Sequence, residues 1–227
     1  ADVIFNPTHW HAWHGRLGAM LDAMEAGFSA AEQDGLPSVG LCVSLLRTQT
    51  AVQSIELVNT LTTLRHPRVV ALSVDGNEAT AGRTGPRFAE AFRQAAKAGL
   101  RGTVHAGESS GPEGVWDAVE LLGADRIDHG VRAIDDPALV QMLADRQIPL
   151  GVCPTSNLVL GVYPSIEAHP IERLRLAGVR VSLNTDDPAL LGASLVGEYA
   201  LCRQTFGWTD AATAAVARTS IEASFAN

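Results

Sequence analysis

The sequence predicts an α/β fold built around a parallel sheet, and three observations lead there. Short apolar runs alternate with longer stretches rich in Ala, Leu, Glu and Arg along the whole 227 residues. The apolar runs are largely continuous, as in strands buried on both faces. They end in polar residues, and strand–helix alternation of this kind means repeated βαβ units.

The elements follow in order. Strands are expected at residues 2–6, 38–46, 69–74, 102–105, 126–129, 149–153 and 180–184. Helices are expected at 16–34, 50–64, 85–98, 114–122, 136–145, 170–177 and 195–206, with a last one at 210–223. Ala98-Gly99 and Ala177-Gly178 end helices as glycine does just past a C-terminus. Asp136-Pro137 places an N-cap before a proline at the first helical position. No Pro-, Gly- or Ser-rich linker divides the chain, so residues 1–227 read as one domain. An open doubly wound sheet and a (β/α)8 barrel both fit. Seven strand–helix units are one short of a barrel, and a complete barrel runs to about 250 residues. Neither GxGxxG after the first strand nor GxxxxGK[ST] is present.

Composition removes several function classes. At 46% hydrophobic and 19% charged residues the chain is too apolar to stay disordered. With 17 basic and 25 acidic residues, a net charge of −8, it suits neither nucleic acid nor an anionic membrane surface. Cys42, Cys153 and Cys202 form no CxxC pair and no disulfide framework. The longest apolar runs, such as 40–46, fall far short of the roughly 20 residues of a membrane span. No signal peptide is visible, and the cytoplasm is the expected compartment. The chain opens at Ala1 directly into a strand-like stretch, so further sequence is expected upstream.

Ionisable residues gather at the C-terminal ends of five expected strands. These are Asp75-Gly76-Asn77-Glu78, His105-Ala106-Gly107-Glu108, Asp128-His129-Gly130, Cys153-Pro154-Thr155-Ser156-Asn157 and Asn184-Thr185-Asp186-Asp187-Pro188. In a parallel barrel these ends converge on the face that holds the active site. His105, His129 and Asp186 are ligand types suited to zinc, which supplies hydroxide at neutral pH. Glu108 is placed to deliver a proton, His129 and Asp186 to remove one. Asp186 and Asp187, if extended, would point to opposite sides. The pattern therefore reads as metal-assisted hydrolysis.

Each residue alone has a simpler reading. His105 and His129 could be hydrogen-bonded core histidines, and Asp186-Asp187-Pro188 a turn and N-cap. Shared placement favours a site. Cys153 reads as packing, and His66-Pro67 and His169-Pro170 as loop starts. The cluster from Thr8 to His14 follows Asn6-Pro7, where the strand has ended. It reads as a loop over the barrel mouth, with Trp10 or Trp13 covering substrate, rather than as a metal pair of His9 and His11.

Taken together, HAGE at 105–108, RIDHG at 126–130, CPTSN at 153–157 and NTDDP at 184–188 resemble the successive motifs of the adenosine and adenine deaminases of the amidohydrolase superfamily. The resemblance runs from the first strand to Phe225. It implies a (β/α)8 TIM-type barrel, here missing its first strand, that deaminates a small purine hydrolytically with one zinc or another divalent metal. It implies His105 and Asp186 as metal ligands and Glu108 as proton donor to purine N1 during attack at C6. His129 would orient the water and act as base or electrostatic stabiliser, and Asp186 would also take the water proton. Asp187 would hydrogen-bond N7, and the Gly76 backbone would contact N3. The products would be a 6-oxopurine and ammonia.

The resemblance favours adenosine as substrate, with adenine or a derivative such as aminodeoxyfutalosine as alternatives. Asp128 stands where adenosine-specific members usually have glycine, and could hydrogen-bond the N–H of a free base. The segment 185–199 looks more like the adenosine type. An inactive purine-binding barrel is the alternative of another class. The family also carries an HxH pair on its first strand, and no matching segment precedes HAGE here. Two zinc ligands and one strand would then lie in about 90 or more upstream residues, given the usual barrel length. The His/Cys/Cys deaminases differ, since PCxxC does not occur here.

Overall fold

Val, Leu and Ile dominate seven short strands, and the residues between them fold back as helices. The structure is a computed structural model describing residues 1–10, 12 and 15–226. His11, Trp13 and His14, part of the cluster expected over the barrel mouth, lie outside the described residues. The chain runs β1 (Asp2–Phe5), α1 (Leu17–Gln33), β2 (Gly40–Leu46), α2 (Ala51–Leu64), β3 (Val69–Asp75), α3 (Glu78–Ala81), α4 (Ala89–Lys97) and β4 (Arg101–Ala106). It continues α5 (Glu113–Glu120), β5 (Arg126–His129), α6 (Pro137–Asp145), β6 (Leu150–Val152), α7 (Pro154–Val159) and α8 (Ile171–Leu176). β7 (Val181–Leu183), α9 (Pro188–Leu191), α10 (Leu195–Phe206) and α11 (Asp210–Glu222) complete it.

All strand pairs are parallel, and their spatial order is their sequence order, β1 to β7. A doubly wound sheet reverses its order at a switch point; this one does not, so the barrel topology holds. The sheet is curled. Asp2 in β1 accepts a hydrogen bond from Arg126 Nη1 in β5 at 2.6 Å, although three strands lie between them. Among the described residues the result is a barrel wall of seven strands, one fewer than a closed (β/α)8 barrel.

The strand faces divide the chemistry. Leu41, Val43, Leu45, Leu72, Val74, Val104 and Ile127 are buried in one apolar core with helix residues such as Phe88, Phe92 and Leu139. The alternate positions, which a strand turns to its other face, are Cys42, Ser44, Ser73, Thr103, Arg126, Asp128 and Ser182, all buried. The barrel interior is thus polar, and the runs read as continuous carry a weak period of two.

Local signals account for the boundaries. Thr50 and Gln53 form a reciprocal capping box on α2. Asp136 accepts from the N–H groups of Ala138 and Leu139 ahead of α6. Residues 85–98 open as a 3-10 turn, Gly85–Phe88, before α4, with Pro86 in the first turn, where a missing N–H costs no bond. The helices α3, α7 and α9 were not expected, since four to six residues are too few to show a helical period. No described helix is long and apolar enough to cross a membrane.

Candidate functional site

His105 in β4, His129 at the end of β5 and Asp186 just past β7 offer donor atoms that all lie within 4.8 Å of one another. His129 is buried, and its Nε2 stands 3.9 Å from Asp186 Oδ2. Both His129 (φ 67°) and Asp186 (φ 56°) sit in the left-handed region. That conformation strains a residue with a side chain and is concentrated at functional sites. At Asp186 the surroundings hold it in place: Ser156 Oγ, on α7, donates to Asp186 Oδ2 at 2.6 Å.

The left-handed turn changes one expectation. Asp186 and Asp187 do not diverge by strand alternation, because the segment is not extended. Asp186 is half-buried against Ser156, while Asp187 is exposed at the start of α9 and makes no capping bond. Its carboxylate therefore stays available.

Glu108 lies beside this cluster. Its Oε1 is 3.4 Å from His129 Nδ1 and accepts a hydrogen bond from Asn157 Nδ2 at 3.2 Å. Its backbone is fixed by Glu78, a residue to which the sequence alone assigns no role. Glu78, buried at the start of α3, accepts from the N–H groups of Gly107 (3.0 Å), Glu108 (2.9 Å), Ser109 (3.2 Å) and Ser110 (3.4 Å). A carboxylate taking several backbone N–H bonds is a firm anchor. The signal was its place at a strand end within Asp75-Gly76-Asn77-Glu78.

Arg47 was missed outright. Only 1% exposed, it donates to the Gly76 carbonyl (3.2 Å), to Thr84 Oγ1 (2.5 Å) and to the His105 carbonyl. It ties the ends of β2, β3 and β4 together. Gly76 itself has φ 101°, and a Cβ there would press on Leu46 and Arg47, so glycine is required.

An acid–base column runs up the interior to His105. Asp2 meets Arg126 at 2.6 Å, Arg126 Nε lies 3.3 Å from Asp128 Oδ1, and Asp128 Oδ2 lies 3.3 Å from His105 Nδ1. Thr103 Oγ1 also donates to Asp128 Oδ2 at 2.8 Å, and Arg126 stacks 4.3 Å over the Phe225 ring. The Asp128–His105 contact has ion-pair distance without hydrogen-bond alignment. Burial alone would push His105 down, but the adjoining Asp128 carboxylate outweighs it and raises the ring to about 9. Burial likewise favours neutral Asp128, yet His105 and Arg126 hold it well below the usual carboxylate range. Asp128, expected beside a free base, lies within the barrel interior. Its oxygens are engaged by Thr103, Arg126 and His105 inside the barrel.

Other expectations find their places. Cys153 is buried, and burial with Asp186 nearby pushes its thiol well up, so it is packing rather than a nucleophile. His9 closes a 3-10 turn, Pro7–His9, after β1 and is outside the donor cluster; Trp10 beyond it is exposed.

With this geometry in place, comparison with known proteins is decisive for the family. Residues 1–227 match the adenosine deaminase family. An adenine deaminase of Agrobacterium fabrum is 39% identical over 230 residues, covering 99% of this chain and 69% of that protein. The crystal structure of an adenine deaminase from Arthrobacter aurescens superposes with a TM-score of 0.92 at 29% identity, covering all of this chain and 68% of that one. An amidohydrolase from Burkholderia ambifaria, solved with bound zinc, gives 0.90 at 28% identity, covering all of this chain and 63% of that one. The chain thus spans about two thirds of the length of these proteins. On sequence and fold alike, this chain belongs to the adenosine deaminase family of hydrolases.

Proposed function

We propose that the protein deaminates a 6-aminopurine by hydrolysis, and that adenine is its substrate. One observation carries the reaction class: the donors of His105, His129 and Asp186 converge within 4.8 Å, with the Glu108 carboxylate 3.4 Å from His129. Adenine, rather than the adenosine first expected, is favoured by the relatives named adenine deaminase. Residues 1–227 belong to a single hydrolase barrel domain.

Two imidazoles and a carboxylate form a donor set that suits zinc, and their donor atoms converge within 4.8 Å of one another. His105 and Asp186 would hold the metal. When bound, such an ion lowers the pKa of water and so provides a nucleophile at neutral pH. Glu108, steadied by Asn157 and by the Glu78 anchor, protonates purine N1. His129, between Glu108 and Asp186, takes a proton from the attacking water and stabilises developing charge; Asp186 shares that proton. Asp187 hydrogen-bonds N7, and the Gly76 backbone meets N3. Oxygen adds at C6, the proton held by His129 and Asp186 passes to the amino nitrogen, and the C6–amino bond breaks as the C6 hydroxyl returns its proton to Glu108, so that hypoxanthine and ammonia leave.

Absorbance assays with adenine, adenosine and aminodeoxyfutalosine test the substrate. The highest kcat/KM is expected for adenine; turnover of adenosine alone, or of none of the three, would refute the assignment. The Asp128→Asn variant is expected to bind zinc about 10- to 100-fold more weakly, as loss of an orienting carboxylate does. Chelator competition measures it. Unchanged zinc affinity with a raised KM for adenine would instead put Asp128 on the substrate.

A further inference from the structure

His169, at an expected loop start, is one of the most enclosed polar residues among those described, 2% exposed. Its ring meets the Tyr163 ring edge-on, with centroids 5.1 Å apart. Its Nδ1 accepts the backbone N–H of Ile171 at 3.2 Å. A backbone N–H can only donate, so Nδ1 carries no proton, and in the neutral ring the proton is on Nε2. That nitrogen lies 3.0 Å from Asn157 Oδ1. Asn157, fully buried, therefore presents its oxygen to His169 and its Nδ2 group to Glu108 Oε1, 3.2 Å away. The direction of each link is dictated by the one before it.

We infer that His169 is a positioning residue for the reaction, acting through the Asn157 amide to fix which oxygen of Glu108 delivers its proton. The inference rests on the reading of Glu108 as proton donor. Oε1 faces two nitrogens, Asn157 Nδ2 and His129 Nδ1. An acidic proton placed there would oppose the Asn157 donor. It belongs on Oε2, the oxygen left for the base. If the amide flipped, Asn157 would present an acceptor to Oε1 and the preference would be lost. His169 is the group that prevents the flip. Burial, together with Arg173 nearby, pushes its ring down to about 4, so the neutral tautomer that the chain of bonds needs persists at neutral pH. The chain loops back on itself to hold the pair: the Asn157 carbonyl accepts from the N–H groups of Val162 (2.8 Å) and Tyr163 (3.2 Å), and His169 N–H reaches the Ile166 carbonyl (3.1 Å).

The test is steady-state kinetics on the full-length protein with adenine, with zinc content and circular dichroism measured in parallel. His169→Phe keeps a ring in the cavity and removes the donor. It is expected to lower kcat by about 10- to 100-fold, the scale of a misplaced catalytic group, with KM and zinc content close to wild type. His169→Gln, whose amide can donate to Asn157 Oδ1, is expected to recover much of the loss. Asn157→Asp, of the same shape but an acceptor where Asn157 donates, is expected to lose at least as much as His169→Phe. The double variant His169→Phe/Asn157→Ala should be no slower than Asn157→Ala alone, because both changes break one chain. A folded His169→Phe with wild-type kcat, or losses that multiply in the double variant, would overturn the inference. Should Glu108→Gln keep wild-type kcat, the reading of Glu108 itself fails, a result separable from failure at His169.

Discussion

Glu108→Gln is expected to reduce kcat on adenine by about 10²- to 10⁴-fold, the contribution of a positioned general acid. The substitution preserves the side-chain shape, and the backbone of residue 108 remains held by Glu78. The contact with Asn157 can also survive, since an amide oxygen accepts as a carboxylate does. Only the transferable proton is lost. KM should change little, because the interaction develops in the transition state rather than in the bound substrate. Zinc content should match wild type, since Glu108 is outside the three-donor cluster. Steady-state kinetics with metal analysis separates these outcomes. A variant that keeps its kcat would remove Glu108 from proton transfer.

Arg47→Met is expected to have the largest effect on stability, about 3–5 kcal/mol, as when one partner of a buried ionic network is removed. The methionine replaces the aliphatic stem but not the guanidinium. The carbonyls of Gly76 and His105 would lose a donor, and Thr84 a partner. Glu78, 4.0 Å from Arg47, would become a buried carboxylate without its nearby cation. Burial already lowers the Arg47 pKa, with Glu78 and Asp75 opposing it. Urea or guanidinium unfolding measures the change. A loss below about 1 kcal/mol, the level of ordinary surface substitutions, would show that the ends of β2, β3 and β4 are held by other contacts.

The reasons for what was legible differ from residue to residue. His105, Glu108, His129 and Asp186 stood out because apolar strands ended in ionisable residues at several places, and one chain direction in a parallel wall brings such ends together. The seven strands were legible for the same reason. Their extents were less so: β6 and β7 have three residues each where five were expected, because Pro154 opens α7 and Asn184 leads into the left-handed turn at Asp186. Arg47 and His169 carried no local mark. Each is polar and follows or precedes a loop, and only its tertiary partners show that it is buried. The Asp2–Arg126–Asp128 column depends on curling of the sheet, which sequence spacing does not encode. Asp128 stands out by its identity as a partner for a free base, while its contacts with Thr103, Arg126 and His105 are not legible, since a strand position does not say which neighbours a carboxylate meets. Substrate preference was divided for a related reason: Asp128 and the segment 185–199 pointed to different relatives.

The measurement closest to the central claim is zinc content, with adenine turnover, of the full-length wild-type protein and of His105→Ala purified side by side. Wild type is expected to hold about one zinc per chain, as a single catalytic site does, and to convert adenine to hypoxanthine. His105→Ala, folded by circular dichroism, is expected to lose both. Equal zinc in the two proteins, or equal adenine turnover, would contradict a catalytic metal centre built on His105 and Asp186.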